Sequence, residues 1–328
     1  MNFEQLFKAF KGKKVAVVGD VMLDTYWWGH VERISPEAPV PVVAVDTKEY
    51  RIGGAGNVAL NTVALGAQTF IISVIGADKD GETLTELYQQ QHINTQYLLA
   101  SSDRITTNKI RIISRNQQMM RLDEELTSDI STELQAQVLQ QVQLCIANDK
   151  PDVVIFEDYN KGVLTEHLIA QLIALCKANG IVTTVDPKRK NFFAYKGVDM
   201  FKPNLKEVKE GLNVTLETVD LTTLSDIHLQ LQAQLQHQIS FITLSEKGVF
   251  YKDATEANII PTHIRSIADV SGAGDTVIAV ASLVYATTKN MNLAAEMANI
   301  AGGLVCEEVG TAAINKQKLL KECEVLLG

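Results

Sequence analysis

The chain has 328 residues, and its content of 46% hydrophobic and 21% charged residues is that of an ordinary globular protein. The net charge of −9 argues against a nucleic-acid-binding protein, because such a protein presents a basic surface to its ligand. Scattered cysteines, an N-terminus without a signal-peptide pattern and the lack of a membrane-length apolar run predict a cytoplasmic protein that contacts no membrane.

The first predicted strand ends in an acidic residue. Residues 13–20 form an apolar run that closes with Gly-Asp, which predicts a buried parallel strand with Asp20 at its carboxyl end. Ligands of open α/β sheets bind at this end of the strands, so Asp20 and the nearby Asp24 are candidates for binding ligand hydroxyl groups. The alternative for Asp20 is a structural role in capping a turn, and the strand alone does not decide between the two.

Two β-rich stretches, near 26–50 and 104–123, interrupt the rest of the pattern. The first holds both tryptophans and three of the seven prolines, and proline favours edge strands over central ones. We predict that the two stretches pair into a small sheet that covers the site as a lid. The second stretch carries basic residues that either line solvated strand faces or contact an anionic substrate: Lys109, Arg111, Arg115 and Arg121.

A glycine-rich stretch, Gly-Gly-Ala-Gly-Asn at 53–57, precedes a helix predicted over 58–66. Gly53 and Gly54 belong to a glycine-rich entry to this helix. Asn57 is expected in the first turn of the helix, pointing back at the loop. The glycine spacing does not match the dinucleotide-binding fingerprint, and such a run is a weak signal by itself.

Strands and helices alternate through most of the remaining chain. This alternation predicts a mainly parallel sheet covered by helices on both faces. We predict strands over 68–76, 152–156, 181–187 and 241–245, and helices over 80–91, 132–148 and 165–179. Polar residues follow the strands at the edge that binds ligands: Asp158, Lys161, Lys188, Asn204 and Ser245.

The stretch 269–275, Asp-Val-Ser-Gly-Ala-Gly-Asp, leads into a buried helix predicted from residue 276. A helix that begins after small residues points unpaired backbone N–H groups at its surroundings and can bind an anion such as a transferring phosphoryl group. The small residues are Gly272, Ala273 and Gly274. Asp275 would then be placed to take a proton from an attacking hydroxyl. An ordinary loop with an acidic first helical turn is the alternative for this motif alone.

Taken together, these motifs resemble the PfkB/ribokinase family of carbohydrate kinases over the whole chain. Residues 269–275 match the C-terminal D-[TV]-x-G-A-G-D motif of that family, 53–66 match its N-terminal Gly-Gly…Asn motif, and 204–207 match its N-x-x-E motif. Neither a P-loop nor the protein-kinase motifs are present in the sequence. The resemblance implies an α/β ribokinase-like fold, with one kinase domain over 1–328 that includes the two lid stretches.

Further stretches resemble the D-glycero-β-D-manno-heptose 7-phosphate kinases of lipopolysaccharide precursor synthesis. They are 19–24, 33–41, 114–118, 121–123, 158–162 and 186–188. Many of those enzymes carry a C-terminal nucleotidyltransferase domain. This sequence contains no H-x-G-H-type motif, so we expect a stand-alone kinase.

The resemblance implies a reaction in which ATP phosphorylates the anomeric hydroxyl of heptose 7-phosphate to give heptose 1,7-bisphosphate. It implies that Asp275 is the base and that the backbone amides of 272–274 hold the phosphoryl group. It implies that the sugar is bound by Asp20, Asp24, Gly53, Gly54 and Asn57. The 7-phosphate needs cations, for which the candidates are Lys109, Arg111, Lys161 and Lys188.

The resemblance also implies sites for the nucleotide and for metal ions. The residues expected near ATP are Asn204, Leu205, Lys206, Glu207, Ser245 and Gly248. Mg²⁺ would bind near Glu207, directly or through water, and a monovalent cation such as K⁺ would have Asp269 and Ser271 among its candidate ligands. The lid is expected to form the interface of a homodimer.

Two alternatives stay open. The first is a kinase of the same family for another sugar, such as fructose, ribose or a hexose phosphate. The second is a regulator that binds a sugar or a nucleotide on a kinase scaffold without catalysis.

Overall fold

The structure of the chain, a computed structural model, describes residues 2–115, 117–263 and 265–328. Asn116, which belongs to the stretch 114–118 noted above, lies outside the described residues. The strands of the described part are β1 (Lys14–Gly19), β2 (Val21–Ile34), β3 (Pro41–Gly54), β4 (Gln68–Ile72), β5 (Val74–Gly76), β6 (Leu99–Ser101), β7 (Asn108–Ser114), β8 (Gln117–Glu124), β9 (Val153–Glu157), β10 (Val182–Asp186), β11 (Met200–Phe201), β12 (Ile239–Thr243), β13 (Val249–Lys252) and β14 (Ala257–Ile260). The α-helices are α1 (Phe3–Ala9), α2 (Ala55–Leu65), α3 (Lys79–Gln90), α4 (Thr132–Asn148), α5 (Glu166–Ala178), α6 (Leu205–Leu212), α7 (Leu221–Leu235), α8 (Ala273–Thr288), α9 (Met291–Val305) and α10 (Lys316–Leu327).

The central sheet has the order β14-β13-β12-β11-β10-β9-β1-β4. The strands from β4 to β12 are parallel, whereas β13 and β14 run antiparallel at one edge. Apolar side chains of α2, α8 and α9 cover one face of the sheet, and those of α4, α5 and α7 cover the other. Burial on both faces explains why strands such as β1 and β9 are continuous apolar runs. The predicted sheet with helices on both faces is confirmed.

A second sheet, which we call the lid, has the order β3-β2-β7-β8. β2 and β3 form a long antiparallel hairpin, from the pair Val21–Gly54 to the pair Ile34–Pro41. β7 lies parallel to β2, and β8 returns antiparallel to β7. The predicted small sheet is therefore confirmed, but its first hairpin extends beyond 26–50, because β2 begins one residue after Asp20 at the end of β1.

The structure differs from the predicted strands at two places. The run 68–76 is divided at Ser73, because β5 leaves the central sheet and pairs with β6 in a separate two-stranded sheet. The Ser73 hydroxyl, between β4 and β5, donates to the Gly19 carbonyl oxygen at the end of β1 at 2.6 Å. The run 241–245 stops as a strand at Thr243, since Ser245 has a left-handed φ of 59° that no strand accommodates. The apolar pattern predicts that these runs are buried, but it does not predict which sheet β5 joins or where β12 ends.

The described residues contain no helix long and apolar enough to cross a bilayer. The four cysteines, all of which lie in the described ranges, are free of disulfide bonds. Cys145, Cys176 and Cys323 are buried in the packing between helices and sheet.

A buried pair of histidines packs beside the central sheet. His228 on α7 and His237 in the α7–β12 connection both contact the hydroxyl of Ser240 on β12, at 2.9 Å and 2.6 Å. Burial lowers the pKa of His228 to about 4 and the pKa of His237 to about 3. Both imidazoles are therefore neutral in the folded protein at neutral pH.

This pair predicts a loss of stability in mild acid. Below about pH 6.5 each histidine is protonated in the unfolded chain, whereas in the folded protein it stays neutral down to about pH 4 or lower. As the pH falls through this range, the free energy of unfolding therefore decreases by up to about 1.4 kcal/mol per pH unit for each histidine. His237→Phe removes one of these groups, so between about pH 6.5 and 4 the slope of the unfolding free energy against pH should decrease by about 1.4 kcal/mol per pH unit, the contribution of one proton. Urea unfolding at a series of pH values measures this slope. The control is His167→Phe at an exposed position of α5, and equal slopes in the two variants would refute the assignment.

Candidate active site

The carboxyl ends of the parallel strands bring several charged residues to one edge of the sheet. Glu157 is the last residue of β9 and Asp186 is the last residue of β10, and the two are paired across the strands. Gly19 at the end of β1 pairs with Glu157 on the other side. The N-termini of α2 and α8 reach the same edge, where Asn57 and Asp275 meet. Strand register therefore assembles the site.

Asp275 is the centre of this arrangement. The residue is 3% exposed, and its carboxylate accepts two hydrogen bonds from side chains. The Tyr159 hydroxyl donates to Oδ1 at 2.7 Å, and Nδ2 of Asn57 donates to Oδ2 at 2.8 Å. Burial raises the pKa of Asp275 to about 6, although the hydrogen bonds from Asn57 and Tyr159 act to lower it. A carboxylate with a pKa close to neutrality can act as a general base at physiological pH.

Small residues allow α2 and α8 to bring their N-termini together. Gly272 caps α8 with a left-handed φ of 77°, and a Cβ there would lie 2.7 Å from Nδ2 of Asn57. At Gly274 a Cβ would lie 3.6 Å from Oδ2 of Asp186 and 3.8 Å from Nζ of Lys202. The turn 272–274 thus places the positive end of the α8 dipole beside a buried lysine. This combination of backbone donors and a cation suits a phosphoryl group.

Three buried carboxylates form a cluster at the strand ends. One oxygen from each of Glu157, Asp186 and Asp275 lies within 4.8 Å of the other two. Among the described residues, neither carboxylate oxygen of Glu157 has a hydrogen-bond partner. Burial raises the pKa of Glu157 well above its usual value, and the neighbouring Asp186 and Asp275 raise it further. Unpartnered carboxylate oxygens are the ligands that Mg²⁺ prefers, so these residues fit a hard divalent cation.

Two lysines neutralise part of this negative charge. Nζ of Lys202 lies 2.8 Å from Oδ2 of Asp186, and Nζ of Lys188 lies 3.4 Å from Oδ1 of the same residue. Burial would raise the pKa of Asp186, but Lys188 and Lys202 outweigh it, and the pKa is lowered. Asp186 is therefore ionised beside two cations.

Glu207, the predicted Mg²⁺ ligand, has both carboxylate oxygens engaged. Oε1 lies 3.2 Å from Nζ of Lys188, and Oε2 accepts the backbone N–H of Asn204 at 2.8 Å. Asn204 in turn accepts the N–H of Glu207, which makes a capping box at the start of α6. In this structure Glu207 holds a helix end and Lys188. Its role as a metal ligand stays a prediction.

The other residues predicted to contact ATP lie at the ends of β11 and β12. Asn204 is bridged to Thr243, so the two strand ends are neighbours. Ser245 is exposed in the turn after β12, and Gly248 closes that turn with a φ of 97°. Leu205 and the exposed Lys206 open α6. These positions follow strands β11 and β12, and their contacts with a nucleotide stay predictions.

Asp20 is almost fully buried, and its carboxylate holds a loop. Oδ2 accepts the backbone N–H groups of Tyr159 and Lys161 at 2.8 and 3.0 Å, and Oδ1 accepts that of Val163 at 3.0 Å. Burial raises its pKa, while these N–H groups lower it. The geometry matches the structural alternative for Asp20, because its oxygens already bind the loop 159–163 rather than open space.

Asp24 lies in the lid and forms an ion pair with Arg111 at 2.6 Å. Asp24 is 3% exposed, and a side chain on Gly53 would collide with its carboxylate. Gly54, with a φ of 59°, is the residue that precedes α2. The lid hairpin therefore lies tightly against the start of α2, with Asp24 packed against Gly53.

The four cations predicted to bind the sugar phosphate differ in their partners. Arg111 is paired with Asp24, Lys188 with Asp186 and Glu207, and Lys161 with Glu125 at 2.7 Å. No ion pair in the described part of the chain includes Lys109. Its Nζ lies over the ring of Tyr159, 5.6 Å from the centroid, and burial lowers its pKa. Lys109 is therefore the candidate without an ion pair in the described part of the chain, although the carboxylates of Asp24, Glu125 and Asp123 act to raise its pKa.

The predicted ligands of a monovalent cation form a closed turn. Asp269 Oδ1 accepts the backbone N–H and the hydroxyl of Ser271 at 2.9 and 2.8 Å, and Oδ2 accepts the N–H of Gly310 at 2.9 Å. These contacts lower the pKa of Asp269 although its partial burial acts to raise it. The carboxylate here ties two loops together, and its role toward K⁺ stays a prediction.

Four residues that contact the centre of the site were missed by the sequence reasoning: Glu157, Tyr159, Asp186 and Lys202. Glu157 and Asp186 could have been found, because each is an acidic residue that ends a predicted strand, like Asp20. The sequence gives no signal that the Tyr159 hydroxyl contacts Asp275 or that Lys202 is buried against Asp186.

Comparison with known proteins gives consistent results. The sequence profile of a family described as pfkB family carbohydrate kinase matches residues 12–318. The chain is 38% identical over 311 residues to the bifunctional protein HldE of Helicobacter hepaticus, and 41% identical over 310 residues to HldE of Methylobacillus flagellatus. These alignments cover 95% and 94% of the chain but only 64% and 63% of the relatives, so the chain spans less than two thirds of their length.

Among solved structures, phosphofructokinase-2 from Escherichia coli in complex with substrates and products superposes with a TM-score of 0.80. The superposition covers 96% of this chain and 100% of that one, at 17% sequence identity. At this identity the likeness concerns the fold alone, and it confirms the ribokinase-like architecture.

The position of Asp20 yields a prediction that separates its two possible roles. Asp20→Asn places an N–H₂ group or a neutral oxygen against three backbone donors, so we expect the free energy of unfolding to fall by about 2–4 kcal/mol. Hydrogen exchange of the 159–163 peptide should accelerate. Denaturant unfolding and exchange mass spectrometry measure both effects, with the exposed Asp46→Asn as control. Unchanged stability together with a raised KM for the sugar would instead make Asp20 a sugar ligand.

Proposed function

Because the chain belongs to the pfkB family of carbohydrate kinases, we propose that it transfers a phosphoryl group from ATP to the anomeric hydroxyl of D-glycero-D-manno-heptose 7-phosphate. The product would be heptose 1,7-bisphosphate, a precursor of ADP-heptose for lipopolysaccharide, made in the cytoplasm. The observation that carries the reaction type is Asp275, buried at the N-terminus of α8 and held by Asn57 and Tyr159. The stretches that resemble heptose 7-phosphate kinases, such as 158–162 and 186–188, support the choice of sugar.

In this proposal Asp275 accepts the proton of the anomeric hydroxyl as that oxygen bonds to phosphorus. One carboxylate suffices, because an anomeric hydroxyl needs a base only while the new bond forms. Each oxygen of Asp275 accepts one hydrogen bond in the structure and keeps a lone pair for the substrate. Asn57 and Tyr159 thus leave room for the proton while fixing the carboxylate.

The backbone N–H groups of 272–274 would bind the phosphoryl group during transfer, with the α8 dipole behind them. The N–H of Ala273, which donates to the Val270 carbonyl oxygen at 3.3 Å, would first release that oxygen. Lys202 and Lys188, both near Asp186, would neutralise charge on the phosphate oxygens. Most of the rate enhancement in phosphoryl transfer comes from positioning and from such charge neutralisation. The lid would exclude water, which otherwise competes as an acceptor.

Mg²⁺ is the metal that this family and its nucleotide imply, and Glu157 and Asp186 are the residues that fit it best. The ion, when bound, neutralises charge on the nucleotide phosphates. Glu157 contributes two unpartnered oxygens and Asp186 a carboxylate that is already ionised. Glu207 would join them only through water or after releasing Lys188.

We further propose that Lys109 binds the 7-phosphate of the sugar. Lys109 lies on β7 of the lid over the Tyr159 ring, and the ion pairs of the described residues do not include it, unlike Arg111, Lys161 and Lys188. A partly buried ammonium without a carboxylate partner gains most from an anionic ligand. The distal phosphate would therefore contact the lid, away from α8.

Two further expectations belong to this proposal. Large apolar side chains are exposed on the lid, which supports a homodimer that buries this surface: Ile34, Val40, Val45, Met119, Met120 and Leu122. A monovalent cation such as K⁺ would bind near Asp269 and Ser271, where it would stabilise the loop that precedes α8.

An ADP-release assay with MgATP tests the function. Heptose 7-phosphate, fructose, ribose and fructose 6-phosphate are compared, and we expect strong turnover with the heptose alone. Asp275→Asn should lower turnover by about 10²- to 10⁴-fold, because general-base catalysis is lost, while ATP binding measured by calorimetry is retained. Turnover of another sugar would keep the kinase and discard the heptose. No turnover with any of them, with ATP still bound, would favour the regulator.

Lys109→Met tests the phosphate contact. We expect the KM for heptose 7-phosphate to rise by about 10- to 100-fold, since a charge-assisted hydrogen bond is lost, with little change in the KM for ATP. Lys48→Met is the matched control, because Lys48 also lies in the lid over an aromatic ring, 4.5 Å from the centroid of Trp27. An unchanged KM in Lys109→Met would assign the phosphate to another cation.

A further inference from the structure

Tyr159 joins four separate parts of the site. Its backbone N–H is held by Asp20 at the end of β1, and its hydroxyl donates to Asp275 on α8. Two lysines contact its ring: Nζ of Lys109 from the lid lies 5.6 Å from the centroid, and Nζ of Lys188 lies 5.3 Å from it. No residue of this loop was assigned a role in proton transfer by the sequence.

We propose that Tyr159 is the positioning residue for the general base, and that its hydroxyl fixes the plane of the Asp275 carboxylate so that one lone pair faces the sugar hydroxyl. The inference rests on the proposed function, in which Asp275 is the base. It adds a residue from the loop after β9 to the motif on α8.

The geometry of the hydroxyl carries the argument. In the described structure its only hydrogen bond goes to Oδ1 of Asp275, at 2.7 Å. Asn57 holds the other oxygen, so the two donors together prevent rotation of the carboxylate about its Cβ–Cγ bond. Without the hydroxyl, one oxygen of a buried carboxylate would lose its fixed partner. A misplacement of about 1 Å at a reacting group can lower a rate by about a hundredfold.

The surroundings of the ring explain how Tyr159 can hold the Asp275 carboxylate in a fixed orientation. Lys109 and Lys188 contact the ring through cation–π interactions, which fix its orientation. The hydroxyl is the donor of this hydrogen bond, because the carboxylate oxygen of Asp275 can only accept. Because Lys109 belongs to the lid, the lid contributes to the orientation of this ring.

Steady-state kinetics of Tyr159→Phe test the inference. The variant keeps the ring that the two lysines contact and removes only the hydroxyl. We expect kcat to fall by about 10- to 100-fold, the worth of a hydrogen bond to a charged group, with the KM for sugar and for ATP within about threefold of wild type. The thermal unfolding midpoint and ADP binding should stay close to those of wild type, since the side chain is only half-buried.

Tyr195→Phe is the matched control. Tyr195 is fully buried, and its hydroxyl donates at 2.8 Å to Asp158, the residue before Tyr159. Loss of this hydroxyl should leave kcat unchanged. An equal loss of kcat in both variants would mean that the loop is merely disturbed and would overturn the inference. Full kcat in Tyr159→Phe with loss only in Tyr159→Leu would assign the effect to the ring and also overturn it.

Asp275→Asn separates this inference from the proposed function. If Asp275→Asn is inactive and Tyr159→Phe is fully active, the positioning role fails and the base assignment stands. If Asp275→Asn keeps wild-type turnover, the base assignment fails and the positioning role fails with it.

Discussion

Asp275 is a carboxylate buried from water, and such a charge is tolerated only where donors and cations replace its lost hydration. The site can be understood from this requirement. Asn57 supplies one donor because Gly272 lets α2 approach α8, and Tyr159 supplies the other because Asp20 folds the loop after β9 back over the strand ends. The donors keep a carboxylate available, while burial keeps it basic. A base of this kind is useful for removing a proton from a sugar hydroxyl.

The charges around Asp275 are arranged so that each side of the site suits a different part of the reaction. On the sheet side, Glu157 and Asp186 supply oxygens for a cation, and Lys202 lies between Asp186 and the start of α8. On the lid side, Nζ of Lys109 adds a positive charge over the Tyr159 ring. A net charge of −9 therefore does not exclude anionic ligands, because local fields rather than the net charge decide binding.

Local sequence patterns predicted the central sheet, the lid sheet and the position of Asp275 in the first turn of α8. These features can be predicted because apolar runs and turns of small residues are determined by residues that are adjacent in the sequence. Local patterns could not predict contacts that depend on strand register or on a loop that folds back. Glu157 and Asp186 meet because β9 and β10 pair in one register, and the Tyr159 hydroxyl reaches Asp275 from the loop after β9, whose backbone Asp20 holds. Asp20 was predicted at the end of its strand, but its saturation by three N–H groups requires the same loop.

The central claim is that Asp275 faces the hydroxyl that attacks ATP. A crystal structure with heptose 7-phosphate and a non-hydrolysable ATP analogue tests it most directly. We expect the anomeric oxygen to lie within hydrogen-bond distance of Asp275, in line with the γ-phosphorus at the N-terminus of α8. A complex in which Glu157 or Asp186 contacts that oxygen instead, or in which a different hydroxyl faces Asp275, would contradict it.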